Sequence, residues 1–189
     1  MQKRIVFERA LLKGFLSLMF LCALANASDI FCSYNPDRPD RDVGVSGRVG
    51  YAKLTNTPLA ISEKSETFIG TEVSYYFRDY LGVYVPYEFM HFKASSSHRV
   101  GGGFVLRPFC FRHFQTDLFA DYAYQRILKQ NKSGFGAGAN LSWVIPTQTL
   151  RILLGPFYKY EQTFFKGLDL KSSTVGFQLQ LLGYSDNTF

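Results

Sequence analysis

The chain has 189 residues, with 21 Lys and Arg against 15 Asp and Glu, which gives a formal net charge of +6. Its composition is 47% apolar, 17% aromatic and only 19% charged, which excludes disorder over most of the length. A bundle of membrane-spanning helices is disfavoured, because the long apolar stretch at the N-terminus is shorter than the ~20 residues that a spanning helix needs. The length suits one domain with at most a short appendage.

The first 27 residues have the three parts of a secretory signal peptide. Four Lys and Arg residues precede an apolar run over residues 14–24, and Ala25-Asn26-Ala27 has the small-x-small pattern of a cleavage site. The alternative, an N-terminal membrane anchor, conflicts with the short apolar run. Cleavage after Ala27 leaves 17 Lys and Arg against 14 Asp and Glu, a net charge of +3. The basic character is therefore partly an export feature, and no nucleic-acid partner is expected.

Two cysteines, Cys32 and Cys110, remain after removal of the predicted signal peptide. An isolated pair in an oxidising compartment more often forms a disulfide than a reactive site, and the alternative is two unpaired buried thiols. No CxxC or His-rich spacing predicts a metal site. Neither a metal nor a cofactor is expected.

From residue 43 onward the sequence predicts eight β-strands and no helix. Segments of alternating apolar and polar residues are separated by clusters of turn-forming residues. The predicted strands cover residues 43–54, 66–77, 81–93, 99–109, 116–127, 134–145, 150–162 and 173–184. Residues 28–42 are then an N-terminal segment before a barrel of residues 43–184, and residues 185–189 form a C-terminal tail.

Each predicted strand has one apolar face and one face that is polar or small. Ten of the 16 glycines lie on the polar face. Eight charged residues on that face balance four to four, namely Arg48, Arg107, Arg151 and Lys159 against Glu72, Glu88, Asp121 and Glu161. A soluble barrel would carry Lys, Glu and Thr outside, whereas the interior of a narrow eight-stranded barrel needs small residues and paired charges. The predicted fold is therefore an all-β, eight-stranded antiparallel up-and-down transmembrane β-barrel with a plugged polar interior.

Strand length and aromatic placement agree with a membrane-spanning barrel. A ten-residue strand rises roughly 33 Å and, when tilted by about 40°, covers an apolar band of ~25 Å. Tyr, Trp and Phe cluster toward the strand ends, where aromatic girdles meet the membrane interfaces. Pro86 and Pro156 lie inside predicted strands, and because a closed barrel has no free edge, a β-bulge is expected at each.

The last predicted strand contains the pattern Thr174-x-Gly176-x-x-Leu179-x-Leu181, and the chain ends in Phe189. With its signal peptide, amphipathic strands and short connections, the sequence resembles the small bacterial outer-membrane barrels of the OmpA, OmpX and opacity-protein type over nearly all of residues 43–184. The resemblance implies export to the cell outer membrane, with this pattern as the signal read by the outer-membrane assembly machinery. Four residues separate the apolar strand from Phe189, which departs from the family pattern.

In that family both termini are periplasmic, so the resemblance implies which connections face outward. These follow the first, third, fifth and seventh strands and cover residues 55–65, 94–98, 128–133 and 163–172. Cys32 and Cys110 both fall on the periplasmic side, which favours a Cys32–Cys110 disulfide.

A structural or surface-interaction role fits the predicted barrel better than transport. An eight-stranded barrel is only wide enough for its own side chains, so an open porin is not expected. The predicted outer rim, to which Arg99 is also assigned, carries an excess of cations that suits lipopolysaccharide phosphates. The contact candidates are Lys129, Lys132, Lys166 and Lys171. Outer-membrane lipid and lipopolysaccharide are the expected partners of a monomer, and a merely solvated rim is the alternative.

Two other functions fit parts of the sequence. An acyl hydrolase or acyltransferase acting on lipid A would use a His and a Ser near the outer rim, and the candidates are His91 or His98 with Ser95, Ser96 or Ser97. Serines before a histidine in a tight loop are usually turn residues, so no catalytic site is assigned. A soluble ligand-binding barrel would need a Gly-x-Trp near the first strand, and the single tryptophan is Trp143.

Overall fold

The computed structural model describes residues 42–55, 65–78, 80–91, 96–110, 113–127, 129–147, 150–165 and 169–184. They form β1 (Asp42–Thr55), β2 (Ser65–Arg78), β3 (Leu81–His91), β4 (Ser96–Cys110), β5 (Phe114–Ile127), β6 (Gln130–Pro146), β7 (Leu150–Thr163) and β8 (Leu170–Tyr184). The predicted signal peptide, most of the N-terminal segment and the C-terminal tail lie outside these residues. Across the described ranges, no helix is long and apolar enough to cross a membrane.

The eight strands close into one barrel. Each strand pairs antiparallel with the next in the sequence, and β8 pairs antiparallel with β1, so the order around the barrel is the order in the chain. The predicted fold class is confirmed. We call the end that holds the connections after β1, β3, β5 and β7 the upper end, and the end where β1 begins and β8 finishes the lower end.

Several strands extend further toward the upper end than the sequence predicts. β6 begins at Gln130, which pairs with Ile127 of β5, so the strand pairing covers most of the predicted connection over 128–133, and Lys129 lies in a turn. Lys129 in this turn has a φ of 61°, in the left-handed region. The prediction of a connection over 128–133 was wrong because residues 130–133, although polar, continue the backbone pairing between β5 and β6.

The two prolines inside strands do not cause bulges. Pro86 keeps a continuous register with β2, and Pro156 keeps one with β8. On the opposite side of each proline the ladder of paired residues has a short gap, and the register resumes unchanged beyond it. Where the ladder is interrupted, no backbone hydrogen bond from the proline nitrogen is required. The strand therefore accommodates the proline without the extra residue of a bulge. The register shift in β4 lies instead between Leu106 and Phe109, a stretch that includes Pro108. The predicted bulges at Pro86 and Pro156 are therefore wrong.

The two faces of the wall differ sharply in chemistry. Along β1, for example, residues alternate between buried and exposed from Asp42 to Val49. Large apolar side chains cover the outside of the barrel, including Tyr75, Phe77 and Trp143 near the lower end. A continuous apolar exterior of this kind is far larger than the patches that monomeric soluble proteins expose. The exterior is therefore built to face lipid, and the polar side chains face inward.

Candidate functional site

Five charged side chains meet inside the upper half of the barrel, and we call them the ion cluster: Glu88, Arg99, Asp121, Lys159 and Glu161. Arg99 Nη1 lies 2.6 Å from Glu88 Oε2 and 3.2 Å from Glu161 Oε1, and its Nη2 bonds Asp121. Lys159 Nζ contacts Glu88, and it lies 3.2 Å from Asp121 Oδ2 and 3.0 Å from Glu161 Oε1. Each cation therefore touches all three carboxylates.

Inward-pointing positions on four strands supply the ion cluster, and a glycine on a fifth strand makes space for it. A Cβ at Gly136 of β6 would lie 2.8 Å from Lys159 Cε and 3.0 Å from Arg99 Nη2. The Tyr84 hydroxyl donates a hydrogen bond of 2.7 Å to Asp121 Oδ2. Lys159 has no solvent-exposed side-chain surface and Arg99 has 2%. Burial of so many charges is tolerable because each is paired and hydrogen-bonded.

A second ionic group lies below the ion cluster, around Arg48 of β1. Its Nη2 is 2.6 Å from Glu72 Oε2, and its Nε donates a 2.8 Å hydrogen bond to Gln178 Oε1. The guanidinium carbon also lies 4.6 Å from the centroid of the Phe119 ring. Ion pairing and ring stacking together hold this arginine across the middle of the barrel.

Two further ion pairs lie toward the lower end. Arg107 Nε is 2.9 Å from Asp117 Oδ1, and its guanidinium carbon lies 4.2 Å from the Tyr76 ring centroid. Arg151 Nη2 bonds Asp42 at the start of β1. The Arg151 side chain is 23% exposed, so this pair lies at the mouth rather than in the core.

The eight residues predicted for the interior all point inward, but the sequence did not reveal the whole network. The predicted set of eight left out Asp117, which the alternation places on the polar face, and Asp42, which was assigned to the N-terminal segment. Arg99 was assigned to the outer rim. The rim position of Arg99 is wrong, because β4 begins at Ser96 and residue 99 falls on the inward phase of that strand. Gly101 and Gly103 are two of the ten glycines that the sequence places on the polar face, and Arg99 precedes them by two and four positions, so the alternation would have placed it correctly.

Two apolar layers lie inside the barrel, one above the ion cluster and one below the Arg48 group. The upper layer is formed by Ala52, Leu54, Phe68, Met90, Ile127, Phe157 and Leu170, with Phe165 packed against it. The lower layer is formed by Tyr76, Tyr84, Val105, Phe119, Leu153 and Leu182, with Val144 packed against it. The ion cluster and the Arg48 group thus lie between two hydrophobic clusters, and the Arg107 and Arg151 pairs lie closer to the lower end. Neither cluster is predicted from the alternation, because it assigns the apolar residues to the outside of the barrel.

The lysines predicted to contact lipopolysaccharide occupy different surfaces. Lys129 is exposed in the β5–β6 turn. Lys132, on the same hairpin, places its Nζ 5.3 Å from the Phe165 ring centroid. Lys171 lies on β8, two strands from that hairpin, and is half-buried. Lys166 lies outside the described residues.

Of the candidate catalytic residues, Ser97 and His98 lie on opposite sides of the wall, Ser96 lies beside His98, and Ser95 is outside the described residues. Ser97 points inward, where its Oγ accepts a 2.6 Å hydrogen bond from Gln125, whereas His98 is exposed on the outer wall. His98 has Ser96 Oγ 3.5 Å from Nε2 and the Tyr87 hydroxyl 2.8 Å from Nδ1.

His91 stacks on Phe89 at the top of β3, with ring centroids 6.4 Å apart. Among the residues that the structure describes, no group of three His, Cys, Asp or Glu side chains could hold a metal ion.

Residues of the predicted assembly signal take alternate sides of β8. Thr174 is fully buried inside, and Gly176 pairs with Gly50 where β8 meets β1. Leu179 and Leu181 face outward. Phe189 lies beyond the described residues, and the predicted Cys32–Cys110 disulfide also falls outside what the structure describes.

The geometry defines an eight-stranded up-and-down barrel of the outer-membrane type, with a lipid-facing apolar wall and an ion-paired interior. Solved structures with this fold include Neisserial surface protein A, at 15% identity and a TM-score of 0.58, which covers 73% of this chain and 95% of its own. The N-terminal barrel of Pseudomonas aeruginosa OprF has 11% identity and a TM-score of 0.48, and the match covers 72% of this chain and 96% of that one. Yersinia pestis Ail in complex with a heparin analogue has 14% identity and a TM-score of 0.44, and the match covers 75% of this chain and 99% of that one.

At these identities the likeness shows the fold alone, and the predicted resemblance to small outer-membrane barrels is confirmed at that level. No protein-family model matches the sequence, and no curated protein matches it significantly.

Proposed function

We propose that this chain is an integral outer-membrane protein with a closed interior and a structural or surface-interaction role. The observation that carries the proposal is contact between opposite walls. In an eight-stranded barrel, β3 and β7 face each other across the lumen, and so do β1 and β5. Glu88 of β3 contacts Lys159 of β7, and Arg48 of β1 stacks on Phe119 of β5. Side chains that meet across the full width leave no continuous water-filled path for solutes.

A closed interior predicts the absence of steady ion conductance. The full-length mature protein in planar lipid bilayers is expected to give no stepwise current at moderate voltages, whereas an open porin in the same lipid gives discrete steps. Heat-modifiable gel migration of the same sample shows that the inserted protein is folded. Reproducible stepwise conductance from the folded protein contradicts the closed interior.

Export, insertion and lipid contact complete the proposal. The predicted N-terminal signal peptide and the pattern in β8 support delivery to the outer-membrane assembly machinery, and the apolar exterior supports residence in the membrane as a monomer. Lys129, Lys132, Lys166 and Lys171 are proposed to attract lipopolysaccharide phosphates at the upper rim, because cations near a phosphate-rich surface gain electrostatic energy.

Charge reversal on the β5–β6 hairpin tests the rim contact. The double substitution Lys129→Glu and Lys132→Glu is expected to reduce lipopolysaccharide co-purification several-fold, because each change replaces attraction by repulsion. The measurement is lipopolysaccharide per mole of folded protein after detergent extraction. An unchanged ratio contradicts a role for these two lysines.

A further inference from the structure

We infer that the outer wall of β3–β6, near the upper end, binds the phosphorylated sugar headgroup and one acyl chain of a lipopolysaccharide molecule. This inference rests on the proposed outer-membrane location. The site is a hollow of about 300 Å³ whose outward lining includes Tyr87, His98, Tyr124, Arg126 and Asn131. None of the lysines proposed for the rim lines it.

Strand register sets three polar side chains of the hollow in one row. Arg126 of β5 is paired with His98 of β4 on one side and with Asn131 of β6 on the other. Directly paired residues in antiparallel strands have Cβ atoms about 5 Å apart. The row therefore presents a guanidinium between an imidazole and a carboxamide, which together can donate several hydrogen bonds to one anion.

Arg126 is free to bind a ligand. Its side chain is exposed, and within the part of the chain that the structure describes, no carboxylate forms an ion pair with it. The arginines inside the barrel are all paired, as Arg99 and Arg107 show. An exposed guanidinium binds phosphate through two parallel hydrogen bonds, which makes a phosphomonoester the best chemical match.

The next row down the wall is apolar in character. Val100 of β4 is paired with Tyr87 on one side and with Tyr124 on the other, and all three are at least 48% exposed. Tyr87 links the two rows, because its hydroxyl lies 2.8 Å from His98 Nδ1. Aromatic residues with a polar tip and an apolar body are typical of the membrane interface.

Below these rows the wall has a bare strip at Gly102. This residue points outward, and a Cβ built on it would meet nothing within 4 Å. Its β5 partner, Tyr122, is 53% exposed beside it. The strip is therefore a shallow track, bounded by an aromatic ring, that leads toward the membrane centre from the hollow.

The vertical order of these features favours a lipid over a soluble anion. A cation and hydrogen-bond donors lie uppermost, tyrosines lie below them, and an apolar track follows. A ligand with a phosphorylated sugar above and an acyl chain below satisfies all three, whereas inorganic phosphate uses only the first. Lys129, in the turn that follows β5, adds positive charge above the row.

The first test compares two outward-facing cations near the upper end. Arg126→Gln is expected to weaken lipopolysaccharide binding by the folded, detergent-solubilised full chain about tenfold or more, because it removes a charged hydrogen-bond pair. Lys53→Gln, an exposed position on β1, is the matched control and is expected to change affinity less than about twofold. The comparison is repeated with dephosphorylated lipopolysaccharide, for which wild type and Arg126→Gln are expected to bind equally.

The second test blocks the track without touching the polar row. Gly102→Leu is expected to weaken lipopolysaccharide binding several-fold, since its side chain would occupy the acyl position. Gly47→Leu is the matched control, because Gly47 also points outward from β1 with nothing within 4 Å of a built Cβ. Both variants are expected to retain heat-modifiable migration, which shows that the barrel is folded.

The outcomes separate the site from the wider proposal. Equal binding by Arg126→Gln and wild type, where wild type binds lipopolysaccharide, overturns this site and leaves the rim lysines in place. Displacement of lipopolysaccharide by millimolar inorganic phosphate, with no effect of Gly102→Leu, overturns the lipid assignment. If folded wild type binds no lipopolysaccharide, both this inference and the proposed rim contact are overturned.

Discussion

Replacement of Lys159 with Met is expected to lower the free energy of unfolding by about 3–5 kcal/mol. The substitution leaves Glu88, Asp121 and Glu161 buried with Arg99 as the one remaining cation of the ion cluster. Carboxylates that lose their partner in a low-dielectric interior keep the full cost of desolvation. Urea unfolding in detergent micelles measures the change, with fluorescence of the single tryptophan as the signal.

Two comparisons identify the cause of that loss. Lys53→Met, on the exposed upper part of β1, is expected to leave the urea midpoint within experimental error. Adding Glu161→Gln to Lys159→Met is expected to recover part of the stability, since one unpaired carboxylate is removed with nearly the same side-chain volume. A Lys159→Met protein as stable as wild type contradicts the structural importance of the ion cluster.

Replacement of Gly176 with Val is expected to prevent barrel closure or to destabilise the barrel by about 3 kcal/mol or more. A Cβ at Gly176 would overlap the Val49 carbonyl oxygen and lie 2.6 Å from the Cα of Gly50. Both atoms belong to the backbone of β1, which cannot move aside without breaking the β1–β8 pairing. The expected result is loss of the fast-migrating unheated band after refolding of the purified protein into detergent.

Gly47→Val is the matched control, because that position on β1 has open space around a built Cβ. Gly176 is also part of the predicted assembly signal, and refolding of the purified chain tests its packing without the assembly machinery. If Gly176→Val refolds normally in detergent but fails to assemble in cells, the glycine acts as a recognition element and the packing explanation is wrong.

The number, order and facing of the strands could be predicted because alternation in a barrel wall is strict. A side chain on a strand must point either to lipid or to the interior, so a period of two identifies both faces at once. The upper ends were predicted less well. Gln130 and Asn131 continue a strand although their side chains have no apolar alternation, since strands that rise beyond the membrane have no lipid to face.

The pairing of the interior charges could not be read from the sequence. Balance between four cations and four acids predicted a network, but Arg99 takes part in it and contacts Glu161 from another strand. Such partners depend on register and on the lumen diameter, neither of which alternation determines. The row around Arg126 was hidden for the same reason, because His98 and Asn131 become its neighbours only through strand pairing.

The ion pair between Glu88 and Lys159 joins β3 and β7, two strands that face each other across the barrel. A hollow tube in a bilayer is squeezed by lateral pressure and flattens toward an oval cross-section unless something spans its bore. Strand number and stagger set the mean diameter, and here two charged side chains in contact oppose flattening along the direction that joins β3 and β7. The curvature of the lipid-facing surface, including the wall that carries Arg126, is therefore expected to stay constant in bilayers of different composition.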